Sequence, residues 1–173
     1  MKPTKYHPAI ICFLLAIAIV SSAPSFGAGN STSLYREGAK LARAGEIESA
    51  ITKFKESIKR NPYYSMGHYG LGKAYLYSPG KIKDAIRHLE RAVRLDTKNA
   101  KGYFYLGVAY LLNKKMVPAI HAFDEAFRRD ATLIESMYNI GAAYDMMGYD
   151  SKAYLYFELF LQKKERTDRD ILF

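Results

Sequence analysis

Residues 100–129 read AKGYFYLGVAYLLNKKMVPAIHAFDEAFRR, two short amphipathic segments on either side of a polar break. Tyr103, Leu106, Gly107 and Tyr110 recur at the spacing of one helical face, and Ala119, Phe123, Ala126 and Phe127 do so after the break. Lys114 and Lys115 occupy the break. Pro118 suits the first turn of the second segment, where a helix loses nothing by lacking an N–H. The stretch predicts a helix–turn–helix unit.

The unit recurs along the chain. Gly38, Gly72, Gly107 and Gly141 are spaced by 34, 35 and 34 residues, and Ala50, Ala85, Ala119 and Ala153 by 35, 34 and 34. The extra residue of the second unit falls at Ser78-Pro79-Gly80, a turn signal that absorbs it. Small residues at both ladders let the helices of one unit, and the first helix of the next, approach closely. Gly45 and Gly148, in the first and fourth breaks, fit the left-handed residue that closes a helix C-terminus. Two ladders with one period predict an all-α array of four stacked helical hairpins.

On these residues the chain resembles the tetratricopeptide-repeat family, across nearly all of 31–164. The family places large apolar residues at positions 4, 7, 11 and 24 of each unit, Gly at 8, Ala at 20 and 27, and often Pro at 32. With units at 31–64, 65–99, 100–133 and 134–164, position 8 is glycine and position 20 alanine every time. Position 11 is Leu41, Tyr75, Tyr110 and Tyr144; position 24 is Phe54, Leu89, Phe123 and Phe157. Glu37 at position 7 of the first unit departs from the pattern, as suits an end repeat with one face in solvent. His68 stands at position 4 of the second unit, and only Pro62 fills position 32. The resemblance implies a right-handed α-solenoid that binds proteins.

Ahead of the array, Lys2 and Lys5 precede the apolar run Ala9 to Val20 and the small-residue stretch SSAPSFGAGN. Its length is that of a secretory signal's apolar core and falls short of the roughly 20 residues that span a bilayer. Residues 1–28 are therefore read as a cleavable signal peptide, or as a membrane anchor if uncleaved, with 29–33 as a short linker. The mature chain is expected in the periplasm or outside the cell. The single cysteine, Cys12, leaves with the signal, so disulfides and thiolate chemistry are not expected.

The chain carries a net charge of +9, and cleavage removes Lys2 and Lys5 without touching an acid. An exported protein seldom meets nucleic acid, so a basic balance suggests an acidic partner, or weak contact with anionic membrane or cell-wall polymer. Much of it has a structural reason. Lys59-Arg60, Arg94, Arg128-Arg129 and Lys163-Lys164 fall at one place in each second helix, where cations complement the helix dipole.

Nothing in the pattern supports catalysis. No phosphate loop, nucleophile elbow or paired-carboxylate motif occurs. His68, His88 and His121 show no ligand-like spacing, and His68 reads as a core or groove-edge residue. No catalytic residue, metal or cofactor is assigned.

By resemblance, positions 2, 5, 9, 12 and 13 of each first helix face a concave groove. Position 5 is a column of aromatics, Tyr35, Tyr69, Phe104 and Tyr138, which either bind or pack. Around it stand Lys73, Leu76, Tyr77, Val108, Leu111, Leu112 and Met146, enough to anchor an extended or helical peptide. A two-residue carboxylate clamp, which in the family needs Lys and Asn at positions 5 and 9 of the first unit, is disfavoured by Tyr35 and Ala39.

The last second helix breaks the pattern of its predecessors. Positions 22, 23 and 26, polar or small in earlier units, become Leu155, Tyr156 and Leu159. Each would be worth roughly 1.5–3 kcal/mol if buried. Two covers are open: the tail 165–173, ending Ile171-Leu172-Phe173, folds back as a short cap, or the surface makes a homodimer or docks a partner. The functional expectation is an adaptor or scaffold in a bacterial envelope assembly, binding a protein or peptide in the groove. The alternative is a holdase-like assembly or secretion factor with weak, broad clients.

Overall fold

The apolar stripe of one short helix is hidden only by a neighbour, so each unit must fold as a pair and pass its remaining apolar face onward. A computed structural model describes residues 28–170; the expected signal segment and Ile171-Leu172-Phe173 lie outside the described residues. The chain forms α1 (Ala28–Arg43), α2 (Ile47–Arg60), α3 (Ser65–Tyr75), α4 (Ile82–Leu95), α5 (Ala100–Leu112), α6 (Met116–Arg129), α7 (Glu135–Asp145) and α8 (Asp150–Asp170). No strand occurs among the described residues. Helices pair as α1/α2, α3/α4, α5/α6 and α7/α8, and each second helix also packs on the first helix of the next unit. The result is a right-handed α-solenoid of four helical hairpins.

Both ladders lie where this pairing is tightest. A Cβ at Gly38, Gly107 or Gly141 would stand 2.8, 2.7 and 2.8 Å from Phe54, Phe123 and Phe157, and one at Gly72 would stand 2.7 Å from Leu89. The position-8 glycine thus makes room for its own unit's position 24. Ala50, Ala85 and Ala119 are wholly buried.

The turns share one chemistry. Gly45 (φ 82°) and Gly148 (φ 75°) are left-handed, as their place at a helix end predicts, and the third unit puts Lys114 (φ 57°) in the same role. In all three turns the left-handed residue's N–H donates three residues back and the following N–H donates five back: Lys114 to Leu111 and Lys115 to Tyr110, both at 2.9 Å. This is the Schellman closure.

Three features differ from expectation. The residues taken as a linker, 29–33, belong to α1; Ser31 is fully buried and its carbonyl accepts the Ser57 hydroxyl at 2.7 Å, which gives the helix a reason to start early. Residues 165–170 do not turn back but prolong α8, since Gln162 to Arg166 contain no glycine or proline to stop it. Lys163-Lys164 therefore lie inside a helix, with Lys163 Nζ 5.8 Å from the Phe127 ring, whereas Lys59-Arg60, Arg94 and Arg128-Arg129 occupy last turns. Arg129 does more than complement a dipole. It donates to the Thr97 carbonyl and to Glu125 and lies 4.1 Å over the Tyr103 ring, tying both helices of the third unit to the preceding turn.

Candidate functional site

The first helices α1, α3, α5 and α7 bring the groove positions to one side, where the predicted residues divide in two. In the first half they surround a pocket of about 500 Å³. Tyr35, Tyr69, Lys73 and Tyr77 line it, together with Phe54, Ile47 and Arg43. The space exists because positions 9 and 12 of the first unit are Ala39 and Ala42, where the second unit has Lys73 and Leu76. Leu76 itself packs against the main core.

In the second half, Phe104, Val108 and Leu111 are half-buried on the cluster of Ala119, Phe123 and Ile140, so they serve the stack as much as the groove. Leu112, Tyr138 and Met146 stay exposed. The position-5 rings rest on their own unit's position 24: Tyr35 on Phe54 at 5.7 Å, Phe104 on Phe123 at 5.5 Å and Tyr138 on Phe157 at 5.3 Å between centroids. Only the second unit differs. Leu89 replaces the ring there, and Tyr69 packs edge-on against Tyr105 at 5.9 Å.

The pocket's electrostatics are one-signed. Arg43 and Lys73 line it, no lining residue is acidic, and among the described residues neither cation makes an ion pair. Lys73 Nζ instead sits 4.4 Å from the centroid of Tyr105, a cation–π contact that holds the ammonium over the groove. Burial pushes the Tyr69 hydroxyl well above its usual range, helped by Tyr105, Tyr35 and Tyr77, and burial raises Tyr35 as well. Both hydroxyls are therefore neutral donors. Arg43 escaped the sequence reading although it stands at position 13 of the first unit, where Tyr77 stands in the second.

A second group was also missed. His68 and His88, apart in sequence, meet across the second unit with Nδ1 atoms 3.1 Å apart and rings stacked at 5.3 Å. His68 Nε2–H donates to the Pro62 carbonyl at 3.1 Å, leaving its Nδ1 to accept from His88 Nδ1–H. Burial lowers the pKa of both rings, His88 to about 4, with His68 adding to the effect. Two first-to-second-helix positions, 4 and 23 of one unit, were the available signal. Among the described residues no group of three or more His, Cys, Asp or Glu converges.

On the last helix, Leu155 is exposed, Leu159 half-buried, and Tyr156 is tucked against Tyr144, the rings stacked at 5.6 Å.

A family model of the TPR repeat matches residues 76–114, from the end of the second unit's first helix through the third unit's. A crystal structure of MamA superposes with a TM-score of 0.76 at 26% identity, covering 88% of this chain and 86% of that one. Another, of MamA protein, is 31% identical with a TM-score of 0.71, covering 79% of this chain and 75% of that one. The chain belongs to the tetratricopeptide-repeat family. A further solenoid of this family, the first TPR of Spaghetti (RPAP3) bound to the HSP90 peptide SRMEEVD, shares the fold with a TM-score of 0.66 at 18% identity, covering 69% of this chain and 94% of that one. No curated protein matches the chain significantly by sequence. As a TPR protein the chain carries an interaction module, and its groove is the surface to examine for partners.

Proposed function

We propose that this TPR protein is an exported adaptor or scaffold in a bacterial envelope assembly that holds an extended or helical segment of a partner in its concave groove. The observation that carries the reading is the pocket between the first two units: aromatic walls, a volume of about 500 Å³, and Arg43 and Lys73 with no acid among the lining residues. Such a pocket takes an apolar side chain beside a carboxylate, with the cations fixing its orientation. The RPAP3 solenoid with its HSP90 peptide supports peptide binding as a use of this fold. The absence of Lys and Asn at positions 5 and 9 of the first unit makes the chemistry here different from a two-residue clamp.

Export rests on Lys2, Lys5 and the Ala9 to Val20 run. The basic surplus favours weak contact with anionic membrane or wall polymer as a secondary attraction. A holdase-like role draws support from the exposed Leu112, Tyr138 and Met146, which offer apolar contact without a defined pocket.

The test is a crosslinking pull-down from the native envelope with wild type beside an Arg43→Glu/Tyr77→Ala variant. One dominant partner, lost in the variant, is the expected result. A partner retained by the variant would refute the pocket as its site, and a smear of weak clients would favour the holdase. N-terminal sequencing of the protein recovered from the envelope reads out cleavage.

A further inference from the structure

Within the stack, each second helix is covered by the first helix of the next unit. Position 21 is Ile51, Ile86 and Ile120, the first two 4% and 9% exposed and the third half-buried; position 28 is Val93, 6% exposed, with Ile58 and Phe127 half-buried. The cover is close. A Cβ at Gly67, position 3 of the second unit, would lie 3.1 Å from Ile58 and 3.2 Å from Ser57, and one at Gly102 would lie 3.1 Å from Val93. In α8 the same two positions are Tyr154 and Leu161, 66% and 54% exposed. Phe157 lies between them, half-buried. This stripe runs along a different side of α8 from Leu155 and Leu159, at roughly 100° per residue.

The chain itself shows what fits such a stripe. The three covering helices carry a small residue at position 3 (Gly67, Gly102, Ser136), an aliphatic at position 7 (Leu71, Leu106, Ile140) and alanine at position 10 (Ala74, Ala109, Ala143), all buried. A second copy of the chain has neither end suited to it. Its α1 offers Ser33, Glu37 and Lys40 at those positions, all exposed, with Glu37 held by Lys53 at 3.3 Å. Head-to-tail stacking would press a carboxylate and an ammonium onto Tyr154 and Leu161, at a desolvation cost that the contact does not return. Its α8 offers Ala153, Phe157 and Phe160 at the same spacing, so the third place is bulky where close approach needs alanine.

We propose that the open end of the solenoid is a docking site for an amphipathic helix of a different protein, one bearing a small residue, Leu or Ile four residues on, and Ala three further. That helix would sit on Tyr154, Phe157 and Leu161 as the first helix of a fifth unit supplied in trans. The site continues three interfaces already built into the fold, with one difference: at position 27, where Ser57, Ala92 and Ala126 are small, α8 has Phe160, which packs on Tyr138 of its own unit at 5.6 Å between centroids. It is separate from the groove.

The probe is a fluorescein-labelled, hydrocarbon-stapled peptide with the sequence of residues 100–112, titrated against the full chain by fluorescence anisotropy. Saturable binding is expected, weakened about tenfold or more by Leu161→Asp and by Tyr154→Lys in the protein and by Leu106→Asp in the peptide. The groove variant Tyr77→Ala should bind it unchanged. Both α8 substitutions fall on exposed positions, so matching melting curves would verify that the fold is kept. No binding, equal binding by both α8 variants, or loss only in Tyr77→Ala would overturn the proposal. So would sedimentation showing that the free chain is a dimer which Leu161→Asp dissociates, because the stripe would then belong to a second copy.

Discussion

Replacing Lys114 by glycine should stabilise the protein. Lys114 holds φ 57° at a turn whose counterparts in the first and fourth units are glycines at 82° and 75°. A side chain in the left-handed region costs about 1–2 kcal/mol because Cβ crowds the following carbonyl oxygen. Glycine relieves that crowding but has more freedom to lose on folding, which returns about 0.5–1 kcal/mol. Lys114 is exposed and its hydrogen bonds to the turn use the backbone, so no packing is forfeited. The net gain is about 0.5–1 kcal/mol, a rise in Tm of roughly 1–4 °C for a domain of this size. Far-UV circular dichroism under heat and urea would measure it. Lys114→Ala, which keeps the crowding, should change little, and Gly148→Ala should lose about 1 kcal/mol. A neutral or destabilising Lys114→Gly beside a harmless Gly148→Ala would refute the claim that the turn sets the backbone and the residue bears the strain.

Phe104→Ala should act on stability more than on the groove, costing about 1.5–3 kcal/mol because its half-buried ring packs on Phe123; a clean loss of ligand affinity with an unchanged melt would contradict this. Gly107→Ala should destabilise by about 1–3 kcal/mol, since its Cβ would meet the Phe123 ring at 2.7 Å; equilibrium urea unfolding reads the change directly. The His68–His88 pair should make the fold acid-sensitive. Both folded-state pKa values lie below that of an unfolded histidine, so protons favour the unfolded chain: the contribution is complete above about pH 6.5 and is lost as pH falls toward about 4. Because His88 is only half-buried, solvent screening limits this to on the order of 1–2 kcal/mol, and His88→Gln should flatten the slope of stability against pH in that window.

The array was legible because each unit repeats one demand: a glycine on the first helix so that a large residue on the second can reach it. Four such pairs, Gly38 with Phe54 through Gly141 with Phe157, write a period into the sequence that no local propensity obscures. The pocket was less legible, since Ala39 and Ala42 make it by what they lack, and a hole depends on how neighbours fill in around them. His68 and His88 were invisible to ligand spacing because hairpin pairing, not helical periodicity, brings positions 4 and 23 together. The role of Val108 and Leu111 was ambiguous for a related reason: in a stack, a groove residue of one unit is also a neighbour of the next. Boundaries were hardest. Ser31 joins α1 through a partner 26 residues away, and α8 runs on because nothing in Gln162 to Arg166 tells it to stop.

The repeated fit of positions 3, 7 and 10 of each first helix against the preceding unit also bears on how such a chain can change length. Where every internal junction is made of the same parts, a unit can be duplicated or lost between two others and both new junctions still close. The first unit does not share this freedom, because its α1 turns Glu37 and Lys40 to solvent where every covering helix carries a buried aliphatic residue and alanine. The lineage of this solenoid should therefore record insertions and deletions in whole units of 34 or 35 residues, the spacing of Gly38, Gly72, Gly107 and Gly141, and record them after the first unit.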